Sequence, residues 1–511
     1  MTVATAAARR VPPGGRTQRA VVVGAGLGGL SAAVRLALAG VQVTLLERDD
    51  RPGGRAGRLS IEGYEFDTGP SVLTMPALLE DLFALAGEDL ADALTLQRLD
   101  PAYRAVFHDG SELRIRGTVE QTAEEVAQVS GVQEGERLLR FAEHLRALYD
   151  AEMGPFIDTN FDSPLDLVRD PRALLQLVRL GGFRRMAPLV ASHLTDWRLV
   201  RMFTFQAMYA GMSPFQALGV YAVIPYMDAV LGVYFPQGGM HAVSTALAGL
   251  ASRVGVQLEL GCEVERVETA GGRATAVVTT AGGRIPADVV LLNPDLPVAY
   301  RDLLPSWATP RRVQRLRFSP SCVVVHLGSN RPLRGAAHHN IHFAEHYQQS
   351  FDDLLAGRMQ RDPSWFLTVP TRGEPAMAPP GADVGFYLLP TPNLRGEPVD
   401  WDRQAPRELE LAQQRLEGAG YGSVSGSTVV SAVVTPRDWA RQGMAAGTPF
   451  AASHQLLQTG PFRPANVAPK VGGVVFTGSS TTPGVGVPMV LLSGRLAAER
   501  ALALLSAQRA A

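Results

Sequence analysis

Near the N-terminus, the hydrophobic pattern changes from strand-like to helix-like and back again. Residues 19–23 are a short apolar run that is typical of a buried parallel strand. The alanine-rich residues 30–39 then predict a helix, with Gly40 positioned to end it. Residues 41–46 predict a second strand, which ends at Glu47. A strand, a helix and a strand in this order predict an α/β fold with a parallel sheet.

The turn between the first strand and the helix carries the pattern GxGxxG, from Gly24 to Gly29. Gly24 permits a tight turn, Gly26 lets the backbone approach a diphosphate, and Gly29 lets the helix pack closely on the strand. The N-terminus of the helix presents free N–H groups to phosphates, and Glu47 can accept hydrogen bonds from ribose hydroxyls. The unit predicts a dinucleotide site, but the motif alone does not separate FAD from NAD.

The rest of the chain alternates between helical blocks and β segments. Two blocks predict mostly helices, the second rich in Met, Phe, Tyr and Leu, and two β segments follow them. In chain order these are residues 75–153, 163–251, 256–290 and 318–434, with a helix near 407–418 inside the last. Residues 471–477 predict a final strand, followed by a glycine-rich loop that opens a helix over 490–505. The N–H groups at that helix start again favour an electron-rich group.

Composition narrows the class of protein. With 46% hydrophobic and 19% charged residues and a net charge of −1, the chain is typical of a folded protein and not of a nucleic-acid binder. Its 511 residues predict two or three domains, or one cofactor domain with a large insertion. Cys262 and Cys322 lie in apolar runs without CxxC spacing, so we expect buried thiols. The histidines lack metal-ligand spacing, and we expect no metal. The pattern around His338, His339 and His342 indicates a solvated polar loop.

The N-terminus and one basic segment give two further expectations. Residues 1–18 are rich in Ala, Arg, Pro and Gly and lack the apolar centre of a signal peptide, which predicts a disordered tail. No apolar run reaches the roughly 18 residues of a membrane-spanning helix. Arginines among apolar residues in 172–185 instead predict a helix at a membrane surface, with a solvated helix packed on the domain as the alternative.

A second glycine segment, Arg51-Pro52-Gly53-Gly54-Arg55, favours FAD because it resembles that of the flavoproteins that include amine oxidases and carotenoid desaturases. After the tail, nearly the whole chain resembles the bacterial-type carotenoid desaturases, the phytoene desaturase family. The segments that carry this resemblance are 66–71 (FDTGPS), 232–240 (GVYFPQGGM), 386–393 (FYLLPTPN) and 483–489 (PGVGVPM).

The resemblance implies the domain organisation and bound FAD. It implies an α/β fold in which a Rossmann-like FAD domain is assembled from residues 19–75, 253–300 and 466–511. A mixed sheet-and-helix (α+β) substrate domain would comprise the helical, membrane-associated residues 76–252 and the sheet residues 301–465. We expect Arg55 at the diphosphate and Val264 near the adenine. The residues expected at FAD are Gly24, Gly26, Gly28, Gly29, Glu47, Arg48, Gly53, Gly54, Arg55, Gly69, Pro70, Ser71, Val264, Gly478, Gly486, Val487 and Pro488.

The resemblance also implies a reaction and a location. Carotenoid desaturation passes a hydride from an allylic carbon to flavin N5, and the neighbouring proton leaves. The polyene delocalises the developing positive charge, so the reaction does not require a strong base, and the protein chiefly positions the substrate and excludes water. A lipid-dissolved substrate implies a cytoplasmic protein attached peripherally to the inner face of the cell membrane. The electron acceptor would be oxygen or a quinone.

Local details bear on the substrate. Residues 72–75, 487–489 and 492–495 look more like desaturases that act at C3,4 of hydroxylated carotenoid ends, and phytoene desaturation is the alternative. A ketolase or isomerase of the same fold, a flavin amine oxidase and a carotenoid carrier without flavin chemistry are further alternatives. The family often carries a histidine where Thr482 stands, so no role of that histidine is transferred to this chain.

Polar residues in apolar helical segments are the candidates for proton or charge roles. Asp166 and Arg169 lie one turn apart, near the substrate tunnel by resemblance, and a surface ion pair is the alternative. Asp228, just before segment 232–240, is the third candidate. One apolar cluster predicts either plain core or tunnel wall: it comprises Met202, Phe203, Phe205, Met208, Tyr209 and Met212.

Overall fold

The computed structural model of the chain describes residues 17–510, so residues 1–16 of the predicted tail lie outside the described part. The strands are β1 Arg19–Val23, β2 Gln42–Leu46, β3 Arg58–Ile61, β4 Tyr64–Asp67, β5 Leu96–Arg98, β6 Tyr103–Val106, β7 Glu112–Ile115, β8 Tyr234–Pro236, β9 Gln257–Glu259, β10 Val264–Ala270, β11 Arg273–Thr279, β12 Arg284–Pro286, β13 Val289–Leu292, β14 Ser321–Ser329, β15 His339–His342, β16 Trp365–Thr368, β17 Asp383–Thr391, β18 Thr428–Val434 and β19 Val474–Phe476.

The α-helices are joined by loops and by short 3₁₀ and π turns. They are α1 Leu27–Leu38, α2 Ala77–Leu85, α3 Val119–Ser130, α4 Val132–Glu152, α5 Pro171–Arg179, α6 Met186–Ala191, α7 Trp197–Met202, α8 Val223–Ala229, α9 His241–Arg253, α10 Leu296–Val298, α11 Arg311–Gln314, α12 Tyr347–Leu355, α13 Trp401–Gly418, α14 Val424–Ser427, α15 Pro436–Arg441 and α16 Val487–Ala510. In the described part of the chain, no helix is both long and apolar enough to cross a bilayer.

The first of the two large sheets is parallel, with five strands in the order β19-β13-β1-β2-β9. Its strands come from the N-terminal, middle and C-terminal segments, which confirms the fold predicted for an FAD domain. Ala20 and Val22 of β1 face the core shared with α1 and α16, while Val21 and Val23 face the core shared with the three-stranded sheet β10-β11-β12. Both faces are therefore covered, as a parallel sheet requires.

The second large sheet has seven strands in the order β18-β14-β17-β16-β15-β6-β7. It is antiparallel except where β6 pairs with β15 in parallel. Strands β6 and β7 come from residues 75–153, where the sequence pattern predicts mostly helices. That prediction is wrong in this stretch, because buried Tyr103 and Ala105 alternate with half-buried Arg104 and Val106, which is the period of a strand.

The prediction of a solvated loop at the neighbouring histidines is also wrong. His339 and His342 lie in β15, inside the seven-stranded sheet, His338 directly precedes it, and all three are buried. The two ring nitrogens of His339 contact the carbonyl oxygens of Ala102 (3.1 Å) and Ser71 (3.0 Å). Burial lowers the pKa of each of the three imidazoles, so they are neutral at pH 7.

Three smaller expectations concern the cysteines and the described end of the predicted tail. Cys322 is buried in β14, as expected. Cys262 is only half-buried, because it lies in the turn before β10, where its N–H donates to the carbonyl oxygen of Glu47 (2.7 Å). Gln18, the last residue of the predicted tail, donates from Nε2 to the carbonyl oxygen of Leu505 in α16 (2.6 Å).

Candidate active site and cofactor groove

A cavity of about 1190 Å³ begins at the carboxyl ends of β1, β2, β13 and β19 and continues between the helical block α4–α8 and the seven-stranded sheet. Its first part, the polar groove, is rimmed by glycines and charged residues that follow these strands. Its second part, the apolar compartment, is lined mainly by aliphatic and aromatic side chains. Ligands of open parallel sheets bind at the carboxyl ends of strands, so the location suits a nucleotide cofactor.

Two glycine segments meet at the polar groove. A Cβ on Gly26 would lie 2.5 Å from Asn293 Oδ1, so a side chain does not fit there without displacing its neighbour. Gly53 donates its N–H to the carbonyl oxygen of Ala25 (2.9 Å), and a Cβ on Gly54 would lie 3.5 Å from the α-carbon of Gly26. The segment 51–55 therefore runs directly beside the GxGxxG turn, and backbone rather than side chains faces a ligand.

The predicted FAD residues come together at this cavity, with Gly29 as the exception. Gly29 instead packs α1 against the turn, because a Cβ there would lie 2.1 Å from the carbonyl oxygen of Gly24. The predicted residues that line the cavity are Gly24, Gly26, Gly28, Glu47, Arg48, Gly53, Gly54, Arg55, Gly69, Pro70, Ser71, Val264, Gly478, Gly486, Val487 and Pro488.

A buried carboxyl group and an uncapped helix give the polar groove its chemistry. Glu47 accepts hydrogen bonds from the N–H groups of Ala25 (2.6 Å) and Asp49 (3.1 Å), which fix it beside the turn, and burial raises its pKa. Among residues 17–510, no side chain caps the N-terminus of α1. Its free N–H groups and positive dipole end can bind an anion, while the Glu47 oxygens that face the cavity can bind a diol.

Arg55 is held at the cavity wall by a network that the sequence does not reveal. Its Nη2 donates to Asp295 Oδ1 (2.6 Å) and its Nη1 donates to Ser479 Oγ. Asp295 also accepts from Ser480 Oγ (2.8 Å) and from the N–H of Ala445 (2.9 Å). Arg55 Nε is buried and has no partner in the part of the chain that the structure describes, so it can donate to an anionic ligand in the cavity.

The glycine-rich loop before α16 forms another wall of the polar groove. Gly478 donates its N–H to Ser493 Oγ (3.0 Å), which ties the loop to α16. Gly486 has φ +114° and open space around its α-carbon, and α16 begins directly after it. At Gly494, α16 packs so closely on α1 that a Cβ would lie 2.6 Å from the carbonyl oxygen of Gly28. The N-termini of both helices therefore border one groove, where they stabilise negative charge.

Asp67 joins two of the segments that carry the family resemblance. Its carboxyl oxygens accept the N–H groups of Met240 (2.9 Å) and His241 (3.1 Å) at the start of α9, and burial raises its pKa to about 6. This contact fixes the segment after β4, so that Gly69 and its two successors lie along the cavity.

Asp228 is the acid–base candidate that the structure brings to the apolar compartment. It is buried in α8, and its Oδ2 accepts the hydroxyl of Tyr103 (3.1 Å). Tyr209 also lines the cavity. Burial is the main cause of the raised pKa of Tyr209, and the nearby carboxylate of Asp228 raises it further. Burial raises the pKa of Asp228 to about 7, although the hydrogen bonds from Tyr103 and Gln206 act to lower it. The carboxyl group can therefore gain or lose a proton near neutral pH.

Asp166 and Arg169 do not line the cavity. They lie at the 3₁₀ turn Pro164–Val168, where Asp166 accepts the N–H groups of Asp162 (2.7 Å) and Ser163 (2.9 Å). Arg169 Nη2 lies 2.9 Å from Asp166 Oδ1, and the arginine side chain is largely exposed. The geometry is that of a capping carboxylate with a surface ion pair, which is the alternative that the sequence leaves open.

The apolar cluster of the sequence divides between the two interpretations. Phe205, Met208 and Tyr209 line the cavity, whereas Met202, Phe203 and Met212 are buried in the surrounding core.

Sequence reasoning missed several acidic residues at the cavity, among them the buried Asp295 and Glu152. Asp295 follows Asn293 and Pro294 after β13, and a polar run after a buried parallel strand is the signal that predicts it. Glu152 continues the buried stripe of α4, and an acid at a core position of a helix is the corresponding signal. That stripe is Leu138, Phe141, Leu145 and Leu148.

Comparisons with known proteins agree with this geometry. The sequence profile of the family described as flavin containing amine oxidoreductase matches residues 27–502. The chain is 48% identical over 492 residues to a phytoene dehydrogenase of Streptomyces griseus, covering 95% of each protein. It is 37% identical over 494 residues to a zeta-carotene-forming phytoene desaturase of Myxococcus xanthus, covering 96% of this chain and 95% of that protein. A solved oxidoreductase from Methanosarcina mazei has a TM-score of 0.61 at 17% identity, covering 94% of this chain and 99% of its own, which supports the fold.

Proposed function

The chain belongs to the flavin-containing amine oxidoreductase family and is an FAD-dependent oxidoreductase, and we propose that its substrate is a long carotenoid polyene, which it desaturates. The observation that carries the proposal is the continuity of the cavity from the polar groove to the apolar compartment. A polyene is almost pure hydrocarbon, so it is recognised by an extended apolar wall rather than by polar contacts. The two carotenoid-acting relatives support the same substrate class.

We propose how the polar groove holds FAD. The N-terminus of α1 and Arg55 would bind the diphosphate, Glu47 the ribose, and Val264 the adenine end. The start of α16, at residues 486–488, would face the pyrimidine side of the flavin. Bound FAD supplies a two-electron acceptor for hydride. The residues fit this group because Gly26 leaves room for a diphosphate and Arg55 Nε has an unused donor. The proposal includes oxygen or a quinone as the final electron acceptor.

In the apolar compartment, the protein positions the polyene and excludes water. Phe205 and Met208 form part of the wall, and Asp228 and Tyr209 are polar residues of that wall. The buried Tyr103 does not line the cavity but donates its hydroxyl to Asp228. We assign to ionised Asp228 the stabilisation of developing positive charge on the polyene and the acceptance of the departing proton.

Asp228→Asn is expected to lower kcat for desaturation by about 100-fold, which is at the low end of the rate enhancement that a general base contributes. In the wild type, kcat rises with pH through about 7, because the carboxylate is the active form; the variant loses this inflection. Stability changes in the opposite sense. Since the folded pKa lies above the usual 3.8, wild-type stability falls as pH rises from about 4 to about 7, and this fall is absent in the variant.

The matched control is Asp166→Asn, a carboxylate of the surface turn outside the cavity. Steady-state kinetics across pH 5–9 should show wild-type rates for this control. An inflection that persists in Asp228→Asn, or an equal loss of rate in both variants, would contradict the role of Asp228.

The proposal includes docking on a lipid bilayer through an exposed apolar surface beside the compartment. This surface, the docking patch, is formed by the turn Pro164–Val168, by α5 and by the turn Leu456–Gln458. Its exposed apolar side chains alternate with the exposed arginines of residues 169–185, and several neighbours of the patch line the cavity. The apolar side chains are Leu165, Val168, Leu175, Val178, Phe183, Leu456 and Leu457. Apolar residues ringed by arginines favour the interface of an anionic membrane, and the proposal puts the protein on its cytoplasmic face.

A variant with both Leu165→Glu and Val168→Glu should bind liposomes of anionic phospholipid at least about tenfold more weakly, because each apolar side chain contributes over 1 kcal/mol when buried. Leu165 is 77% exposed, so the change does not disturb the core. Co-sedimentation measures the binding. The control is Val132→Glu, which is 69% exposed and lies at the first residue of α4, outside the docking patch. Equal weakening by the control, or none by the double variant, would refute this docking patch.

Two substrates remain as proposals within the same chemistry. Residues 72–75 and 487–489 support 3,4-desaturation of a hydroxylated carotenoid end. The names of the two relatives support phytoene as the second candidate.

Product analysis separates these candidates. The holoenzyme in liposomes would receive phytoene or a 1-hydroxylated carotenoid, and products would be resolved by absorption spectrum and mass. Loss of two hydrogens from the hydroxylated substrate alone supports end-group desaturation, and stepwise loss from phytoene supports the second candidate. Gain of oxygen would make the protein a ketolase, unchanged mass with altered geometry an isomerase, and unchanged substrates would refute the proposed function.

A further inference from the structure

Glu152, the last residue of α4, is an acidic residue in the wall of the apolar compartment. It is 4% exposed, its Oε1 is buried, and no hydrogen-bond partner for that atom exists among residues 17–510. Apolar side chains line the cavity in the turn that follows α4 and on α8, which packs on α4, among them Phe156 and Ile224. A buried polar atom without a partner destabilises the folded chain, so its position at a ligand cavity indicates a partner that arrives with the ligand.

The hydroxyl group of Tyr221, near Glu152, is already engaged by other groups. Tyr221 is near enough for Glu152 to raise its pKa, although burial is the main cause. The Tyr221 hydroxyl contacts the carbonyl oxygen of His454 (2.9 Å) and Thr459 Oγ1 (2.7 Å), so it is directed to those groups. In the part of the chain that the structure describes, no charged residue stabilises the carboxylate form, and burial alone raises the pKa of Glu152 well above its usual value.

The protonated state fixes what the group can recognise. A neutral carboxylic acid offers one O–H donor and one carbonyl acceptor side by side. A hydroxyl group also donates and accepts, so it satisfies both atoms, whereas a ketone accepts only and a hydrocarbon does neither. Because Glu152 terminates a long helix whose stripe packs in the core, its carboxyl group is held in place rather than carried on a mobile loop.

We infer that Glu152 is a hydrogen-bonding subsite for a hydroxyl group on an otherwise hydrocarbon ligand of the apolar compartment. The inference rests on the proposed function for the apolar nature of the ligand and deepens it. Glu152 then distinguishes hydroxylated polyenes from unsubstituted ones of the same length, because an unsubstituted chain leaves its carboxyl group buried and unpaired.

The test uses the holoenzyme and two saturated probes, 1-hexadecanol and hexadecane, delivered from cyclodextrin and followed by calorimetry. Neither probe has an allylic hydrogen, so binding is measured without desaturation. The wild type is expected to bind the alcohol about fivefold to tenfold more tightly than the alkane, the effect of one neutral hydrogen bond. Glu152→Leu removes this preference without lowering Tm, because it also removes a buried unpaired group. Glu152→Gln retains most of it, since an amide donates and accepts.

A spectroscopic readout separates recognition from a merely structural role. At pH 7 the wild type should show an infrared carbonyl stretch of a protonated carboxylic acid that shifts on addition of 1-hexadecanol. The difference spectrum between wild type and Glu152→Gln isolates this band, because Asp228, with a pKa of about 7, contributes the same band to both proteins. Asp150→Asn, an exposed change on the same helix, is the control and should alter nothing.

The outcomes distinguish this inference from the proposed function. Equal affinity for the two probes, no binding of the alcohol, or an unchanged preference in Glu152→Leu would overturn the subsite even if carotenoids are desaturated. Preference for the alcohol without desaturation of any carotenoid would leave the subsite standing and overturn the proposed function.

Discussion

Replacing Gly26 by valine is expected to give a folded protein that purifies without its yellow flavin. A Cβ at this position would lie 2.5 Å from Asn293 Oδ1, and the valine methyl groups would occupy the rim of the polar groove. The turn or Asn293 must then move, which displaces the N–H groups of α1 that we propose bind the diphosphate. We expect FAD affinity to fall by about 100-fold or more, which corresponds to about 2.7 kcal/mol.

The measurement is the ratio of flavin absorbance to protein absorbance, with titration of added FAD by fluorescence quenching. Far-UV circular dichroism establishes that the variant is folded. The control is Gly418→Val at the end of α13, where a side chain meets open space. Wild-type FAD content in Gly26→Val would show that the cofactor does not lie at this turn.

Asp295→Ala is expected to have the largest effect on stability. The Asp295 side chain is 2% exposed, and its carboxylate accepts from Arg55, Ser480 Oγ and the N–H of Ala445. Removing it leaves Arg55 partly buried without its counter-ion, so we expect a loss of about 3 kcal/mol in the free energy of unfolding. FAD binding should also weaken, because Arg55 is no longer aimed at the groove.

Asp402→Asn is the matched control, because Asp402 contacts Arg437 at 2.7 Å and is 79% exposed. The N–O distance resembles the 2.6 Å of the Arg55–Asp295 pair, while burial differs. Urea unfolding of the holoenzyme should show a change of at most about 1 kcal/mol for the exposed pair. Similar losses in both variants would mean that burial does not set the strength of the Arg55 network.

That the glycine turn and Glu47 meet in the polar groove could be predicted from the sequence, because the constraints on them are local. The turn at Gly24, Gly26 and Gly29 and the acid at Glu47 lie within one strand–helix–strand unit, and each residue type has one mechanical reason to be there. The second glycine segment, 51–55, pairs with that turn through Gly53. The role of Asp295 could not be predicted, because its partners Arg55 and Ala445 are distant in sequence and meet only in the folded chain.

The apolar half could be predicted much less well. The sequence makes Asp166 a candidate for a proton or charge role. Ser163 and Asp166 also have the spacing of a capping box, and the structure shows this capping box. The polar surroundings of His342 in the sequence predict a solvated loop. In the structure its ring stacks on Trp365 inside a sheet, with ring centroids 3.7 Å apart. Glu152 is visible in the period of α4 as an acid on an apolar face, but that it borders a cavity depends on helices far along the chain.

An anaerobic titration of the holoenzyme with a carotenoid in liposomes, followed by flavin absorbance, shows whether the bound flavin oxidises the carotenoid. The account predicts that the oxidised-flavin band disappears in step with the lengthening of the polyene chromophore, one flavin reduced for each double bond formed. A carotenoid that binds while the flavin stays oxidised would contradict the account and make the protein a carrier rather than a desaturase.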